Sequence, residues 1–106
     1  MNLDNYQHNA ARTLGDADLR ILALGLCGEA GEAAEIVKKH MGHGHDLDVD
    51  NLAKELGDVL WYVAALATAL DVNLSQVAQA NVAKLRARYP DGFSEERSRN
   101  RGGCHG

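Results

Sequence analysis

Between Leu52 and Leu70, apolar residues return every three or four positions, at Leu52, Leu56, Val59, Leu60, Val63, Leu66 and Leu70. Only an α-helix gathers that spacing onto one face. Glu55, Asp58 and Tyr62 fall along the edge of the stripe, so two carboxylates three residues apart border a surface that has to be buried. A corresponding stripe runs through Leu19, Leu22, Leu26, Ala33, Ile36 and Val37, with Glu29 inside its arc and Glu32 at its margin. An unpaired carboxylate beside an apolar core is costly, so something cationic is expected to meet Glu29, Glu32, Glu55 and Asp58. The alternative is an ordinary solvated acidic face.

The 106 residues suffice for one domain with a modest core, short enough that self-association would help to cover long apolar faces. Hydrophobic residues make up 45% of the chain but aromatics only 5%. Packed helices are therefore favoured over a β-sandwich, and the expected fold is all-α. A net charge of −4 argues against a nucleic-acid surface, which needs a basic patch. The longest apolar run, Val59 to Leu70, is too short to span a bilayer, and the polar start has no signal-peptide pattern. Cys27 and Cys104 form neither a disulfide framework nor a zinc spacing, which suits a reducing cytoplasm.

In chain order, Leu3, Tyr6, Ala10, Ala11 and Leu14 predict a short amphipathic helix from about Asn2 to Leu14, ended by Gly15 and lying against the bundle. Asp16 or Asp18 caps a second helix running to about Met41. Its interior holds Gly25, Gly28 and Gly31, each costing about 1 kcal/mol against alanine. Their regular spacing predicts that another backbone or a ligand approaches that face closely. The segment from His40 to Asp46 reads as a loop by its glycines. Its histidines have no further Cys/His motif to make a structural metal site. Asp48 or Asp50 caps the third helix, which ends near Asp71. Asn73, with Gln76 three residues on, caps a fourth helix that Pro90 stops. On this helix Leu74, Val77, Ala78, Val82 and Leu85 form the stripe. Asn81 lies within it, and Lys84 and Arg88 follow on nearly the same face. Residues 1–93 are thus expected to form the domain and residues 94–106 a polar, disordered tail.

Four oxygen ligands from two helices, with no histidine or cysteine among them, suit the hard cations Mg²⁺ or Mn²⁺. No Glu-x-x-His pair is present, which argues against a di-iron carboxylate protein. Magnesium held by a few carboxylates keeps positions open for substrate phosphates, so phosphate-anhydride hydrolysis is the natural chemistry. Lys84 and Arg88 are placed to neutralise outer phosphates. Asn81, Tyr62 and Trp61 offer hydrogen bonding and stacking to a base or sugar.

The segments Gly25-Leu-Cys-Gly-Glu-Ala-Gly-Glu32, Glu55-Leu-Gly-Asp-Val-Leu-Trp-Tyr62 and Asn81-Val-Ala-Lys-Leu-Arg-Ala-Arg-Tyr-Pro90 resemble, in order, those of the MazG-like all-α nucleoside triphosphate pyrophosphohydrolases. The likeness runs from about Tyr6 to Phe93. It implies a four-helix bundle that packs helices across a homodimer or homotetramer interface. It also implies hydrolysis of a (deoxy)nucleoside triphosphate to the monophosphate and pyrophosphate, with Glu29, Glu32, Glu55 and Asp58 as Mg²⁺ ligands. One position departs from the pattern: Gly28 stands where many members carry a further acid, and Glu35, one turn beyond Glu32, is a partial substitute. Competing readings are a phosphoribosyl-ATP pyrophosphohydrolase and a non-catalytic bundle that binds nucleotide or metal. The Trp61-Tyr62 and Asn81 to Pro90 segments speak against the first, and a complete acidic quartet against the second.

Overall fold

In the computed structural model, which describes residues 1–44 and 46–92, four helices follow one another and no strand is formed among the described residues. They are α1 (Leu3–Ala11), α2 (Leu19–His43), α3 (Val49–Ala69) and α4 (Leu74–Arg88). The tail expected over residues 94–106 lies outside the described residues, as does His45.

Side chains with short oxygen arms open the helices. Asn2 Oδ1 accepts from the Asn5 N–H at 2.8 Å, Asp18 Oδ1 from Ile21 at 3.0 Å and Asp48 Oδ1 from Asn51 at 3.0 Å. Each satisfies one of the amide donors that a first turn leaves without an intrahelical partner. At the start of α4 the reach is reversed: Gln76 Oε1 accepts from the Asn73 N–H at 3.2 Å. Two boundaries differ from expectation: α1 ends at Ala11, with Arg12 as its cap, and not near Leu14, and α2 runs on past Met41. The segment from His40 is not a loop, because α2 continues through Gly42 to His43 and stops at Gly44, whose φ of 70° is the left-handed conformation that closes a helix. Two glycines competed for that role, and the later one took it.

α2 and α3 form the main antiparallel pair, α1 lies on α3, and α4 meets α1 and α3 over a shorter length. The core differs from the predicted stripes in an instructive way. On α3 the buried residues are Ala64, Ala65 and Ala67, whereas Leu56 and Leu70 are 56% and 60% exposed. Small residues let the helices of one chain approach closely, while Leu52, Val59, Val63 and Leu66 are half-buried and Leu56, Leu60 and Leu70 face outward. Ala10 of α1, Ala64 and Leu74 of α4 form a buried cluster, with Tyr6, Trp61 and Val63 packed around it. Leu22 is the large side chain fully buried on α2.

The three glycines of α2 do not behave alike. A Cβ at Gly25 would run into the ring of Tyr62, while one at Gly28 or Gly31 would meet nothing within 4 Å. Within this chain the close approach is made at Gly25, by the Tyr62 side chain, while Gly28 and Gly31 leave open space. Gly25→Ala is expected to destabilise the protein by about 1–3 kcal/mol through overpacking. Gly31→Ala should instead be neutral or stabilising by up to about 1 kcal/mol, the ordinary helix-propensity gain. Urea denaturation of the two variants checks the contrast, and equal effects would remove Tyr62 from its place beside Gly25.

Candidate active site

The close packing of α2 on α3 brings their acids together. Carboxylate oxygens of Glu29, Glu32 and Glu55 lie within 4.8 Å of one another, Glu29 and Glu55 half-buried and Glu32 exposed. Glu29 and Glu32 share a face because they are three residues apart on α2, and Gly25, one turn earlier, admits Tyr62 from α3. The tyrosine ring thus lies against α2 one turn before Glu29.

Among the described residues no cation pairs with these groups. Glu29 Oε2 and Glu55 Oε2 are both buried without a hydrogen-bond partner. The ion pairs formed elsewhere, Arg20 with Asp18 at 3.2 Å and Lys38 with Glu35 at 3.8 Å, do not involve the cluster. Glu55 responds by holding its proton above the ordinary value of 4.5. The neighbouring Glu29 carboxylate, able to accept the proton that Glu55 keeps, is the first cause and desolvation the second. Glu32 pulls the other way by donating when it is the protonated partner, and the charges of Glu29 and Asp58 add to the rise. Orphaned, partly buried oxygens from several carboxylates are a donor set that fits a hard divalent cation.

The remaining expected site residues are distributed as follows. Asp58 is outside the 4.8 Å group, yet near enough for its charge to act on Glu55. Glu35 is turned to solvent and paired with Lys38, so it does not fill the place left by Gly28. Trp61 donates its indole N–H to Thr13 Oγ1 at 2.9 Å and meets Tyr62 edge-to-face, ring centroids 4.9 Å apart. Asn81 and Lys84 are exposed on α4, and Arg88 is partly buried near its end. They are not members of the carboxylate cluster. None of the described helices is long and apolar enough to cross a membrane.

Sequence reasoning missed Gln7, a buried polar residue of α1. Its position was readable, since it lies four residues after Leu3 and three before Ala10 on the packed face. What it bonds to was not.

A protein-family model described as the MazG nucleotide pyrophosphohydrolase domain matches residues 18–93. The Gene 37 protein of Mycobacterium phage L5 is 42% identical over 114 aligned positions, which cover 95% of this chain and 100% of that protein. No solved structure matches the chain significantly. With its acidic helix pair inside the matched region, the chain belongs to the MazG nucleotide pyrophosphohydrolase domain family.

Proposed function

We propose that this chain hydrolyses nucleoside or deoxynucleoside triphosphates between the α and β phosphates, releasing the monophosphate and pyrophosphate in a cytoplasmic nucleotide-pool cleansing role. The observation that carries the reading is the group of three carboxylates within 4.8 Å, two of them with a buried oxygen that nothing else satisfies. Glu29, Glu32 and Glu55 would hold Mg²⁺, or Mn²⁺ in its place, with Asp58 completing the set one turn along α3. A divalent ion there supplies Lewis acidity, acidifying water and offsetting charge on phosphate oxygens.

The chain's own groups do the rest. Lys84 and Arg88 neutralise phosphate charge, Arg88 in the forked geometry suited to two oxygens. Asn81 and the Tyr62 hydroxyl hydrogen-bond the nucleoside. Trp61 has its N–H on Thr13 and its ring against Tyr62, so its contribution is to fix the tyrosine and offer a ring face. Residues 1–93 act as the catalytic domain and 94–106 as an appended polar tail.

The apolar side chains left open by a single chain support self-association. Ile21 and Leu24 of α2 are 58% and 74% exposed, and Leu56 of α3 is 56% exposed. A second copy placed against these faces would bury them, as a homodimer or a pair of dimers. Light scattering at micromolar concentration should return at least twice the chain mass, and a monomer would contradict this part of the reading.

A panel of ribo- and deoxynucleoside triphosphates assayed for pyrophosphate release with Mg²⁺ tests the activity. At least one is expected to give equal amounts of monophosphate and pyrophosphate. Release of orthophosphate and diphosphate instead would place the cleavage elsewhere. For the preferred nucleotide, Asn81→Ala and Lys84→Ala should each raise KM about tenfold, as expected when a charge-assisted hydrogen bond to the substrate is removed. Unchanged steady-state kinetics in both would return these residues to a structural role.

A further inference from the structure

α1 lies outside the residues matched by the family model, which begin at 18, yet it supplies the groups that complete the first turn of α4. Asp4 Oδ1 accepts from the Ser75 N–H at 3.0 Å and Asp4 Oδ2 from the Ser75 hydroxyl at 2.7 Å. Gln7 Oε1 accepts from the Leu74 N–H at 2.7 Å. Its Nε2 donates to the Val72 carbonyl at 2.9 Å and to Thr68 Oγ1 at 3.2 Å. Two first-turn amides of α4 and a carbonyl of the preceding turn are therefore satisfied from a helix more than sixty residues away. The carboxylate also stands at the positive end of the α4 dipole.

Burial among the described residues contributes little to the direction of α4. Leu74 is its one buried residue, while Val77, Val82 and Leu85 are 43%, 44% and 44% exposed. The turn leading into it passes through Asp71 at a φ of 58°, a conformation non-glycine residues rarely take. Lys84 lies ten residues beyond Leu74, about 15 Å along the axis. A tilt of roughly 10° at the first turn would displace it by about 2.6 Å, more than the roughly 1 Å that a bound substrate tolerates.

We infer that Asp4 and Gln7 are positioning residues for substrate, holding α4 so that Asn81 meets the nucleoside and Lys84 and Arg88 meet the phosphates. This rests on the proposal that α4 binds the nucleotide. The requirement is for acceptors at two backbone amides, so an amide side chain at position 4 retains most of what the carboxylate does.

The test is steady-state kinetics of Asp4→Ala, Asp4→Asn and Gln7→Leu, each also combined with Lys84→Ala. Asp4→Ala should raise KM about fivefold, the size of a lost helix cap, with kcat within about twofold of wild type. Asp4→Asn should recover most of the difference. In the Lys84→Ala background the effect of Asp4→Ala should be smaller than in wild type, because one of the three groups it positions is already gone. The thermal shift induced by Mg²⁺ should be the same in Asp4→Ala as in wild type, since α2 and α3 hold the acids. If Gln7→Leu fails to fold, Asp4→Ala, at an exposed position, still decides the matter. An unchanged KM in Asp4→Ala alongside a raised KM in Lys84→Ala overturns the positioning role, as does full additivity of the two. An unchanged KM in Lys84→Ala itself removes nucleotide binding from α4 and this inference with it.

Discussion

Glu32→Gln is expected to reduce kcat/KM for the preferred nucleotide by on the order of a thousandfold, the several kcal/mol that a metal-assisted step supplies. The substitution keeps the size of the side chain and removes only its charge. Glu32 is the exposed member of the cluster, and Gln and Glu have similar helix propensity, so the fold is left intact. Circular dichroism of the variant should overlay that of wild type. Asp58→Asn should behave alike if the second acid of α3 serves the same ion. Glu35→Gln is the control: its partner is Lys38 at 3.8 Å on the solvent side, and activity should be unchanged within about twofold. Full activity in Glu32→Gln would remove the cluster from catalysis.

The second large effect concerns stability. Carboxylates crowded within 4.8 Å oppose folding unless one protonates or a cation binds. A divalent ion that binds the folded site and not the unfolded chain stabilises it by about 2.7 kcal/mol at a hundredfold excess over Kd. For a domain of this size that raises Tm by roughly ten degrees.

Without metal, pH takes the place of the cation. The folded-state pKa of Glu55 is raised above 4.5. The folded protein therefore binds more protons than the unfolded chain, and this contribution is complete below 4.5 and lost as pH rises through the raised value. Asp4 and Asp18 have the opposite sign. The Ser75 backbone amide, then its hydroxyl, hold Asp4 below 3.8, and the Ile21 amide, then Arg20, hold Asp18 below it. Their contribution is present above 3.8 and disappears as pH falls through the lowered values.

Glu55→Gln should accordingly flatten the loss on the neutral side and leave the acid side untouched. It should be no less stable than wild type in EDTA and gain less from Mg²⁺. Thermal melts at several pH values, with and without the ion, measure all of this. Equal Mg²⁺ shifts in the two proteins would show that Glu55 holds no metal.

The helices and their starts were legible because they depend on local chemistry. Apolar spacing marked each element, Asn73 marked where α4 begins, and of the paired candidates Asp16 or Asp18 and Asp48 or Asp50 the structure uses Asp18 and Asp48. The meeting of Glu29, Glu32 and Glu55 was legible for a related reason: acids inside or beside an apolar arc have to converge where two arcs pack. What stayed hidden depends on partners distant in sequence. Periodicity shows that Leu56 and Ala64 both lie on apolar arcs of α3. It does not show that the alanines meet the same chain while Leu56, Leu60 and Leu70 remain open. Gln7 is an ordinary polar residue until the turn at Val72 and the first turn of α4 come to rest on it. Trp61 had the look of a stacking platform, and only the fold reveals that its N–H is tied to Thr13.

Whether carboxylates from α2 and α3 form one divalent-cation site is decided by Mn²⁺ titration followed by electron paramagnetic resonance. Wild type should remove free Mn²⁺ signal saturably, with Mg²⁺ displacing it. Glu29→Gln and Glu55→Gln should each weaken binding at least about tenfold, as loss of one ligand or its close support does. Undiminished Mn²⁺ binding in both variants would contradict the account.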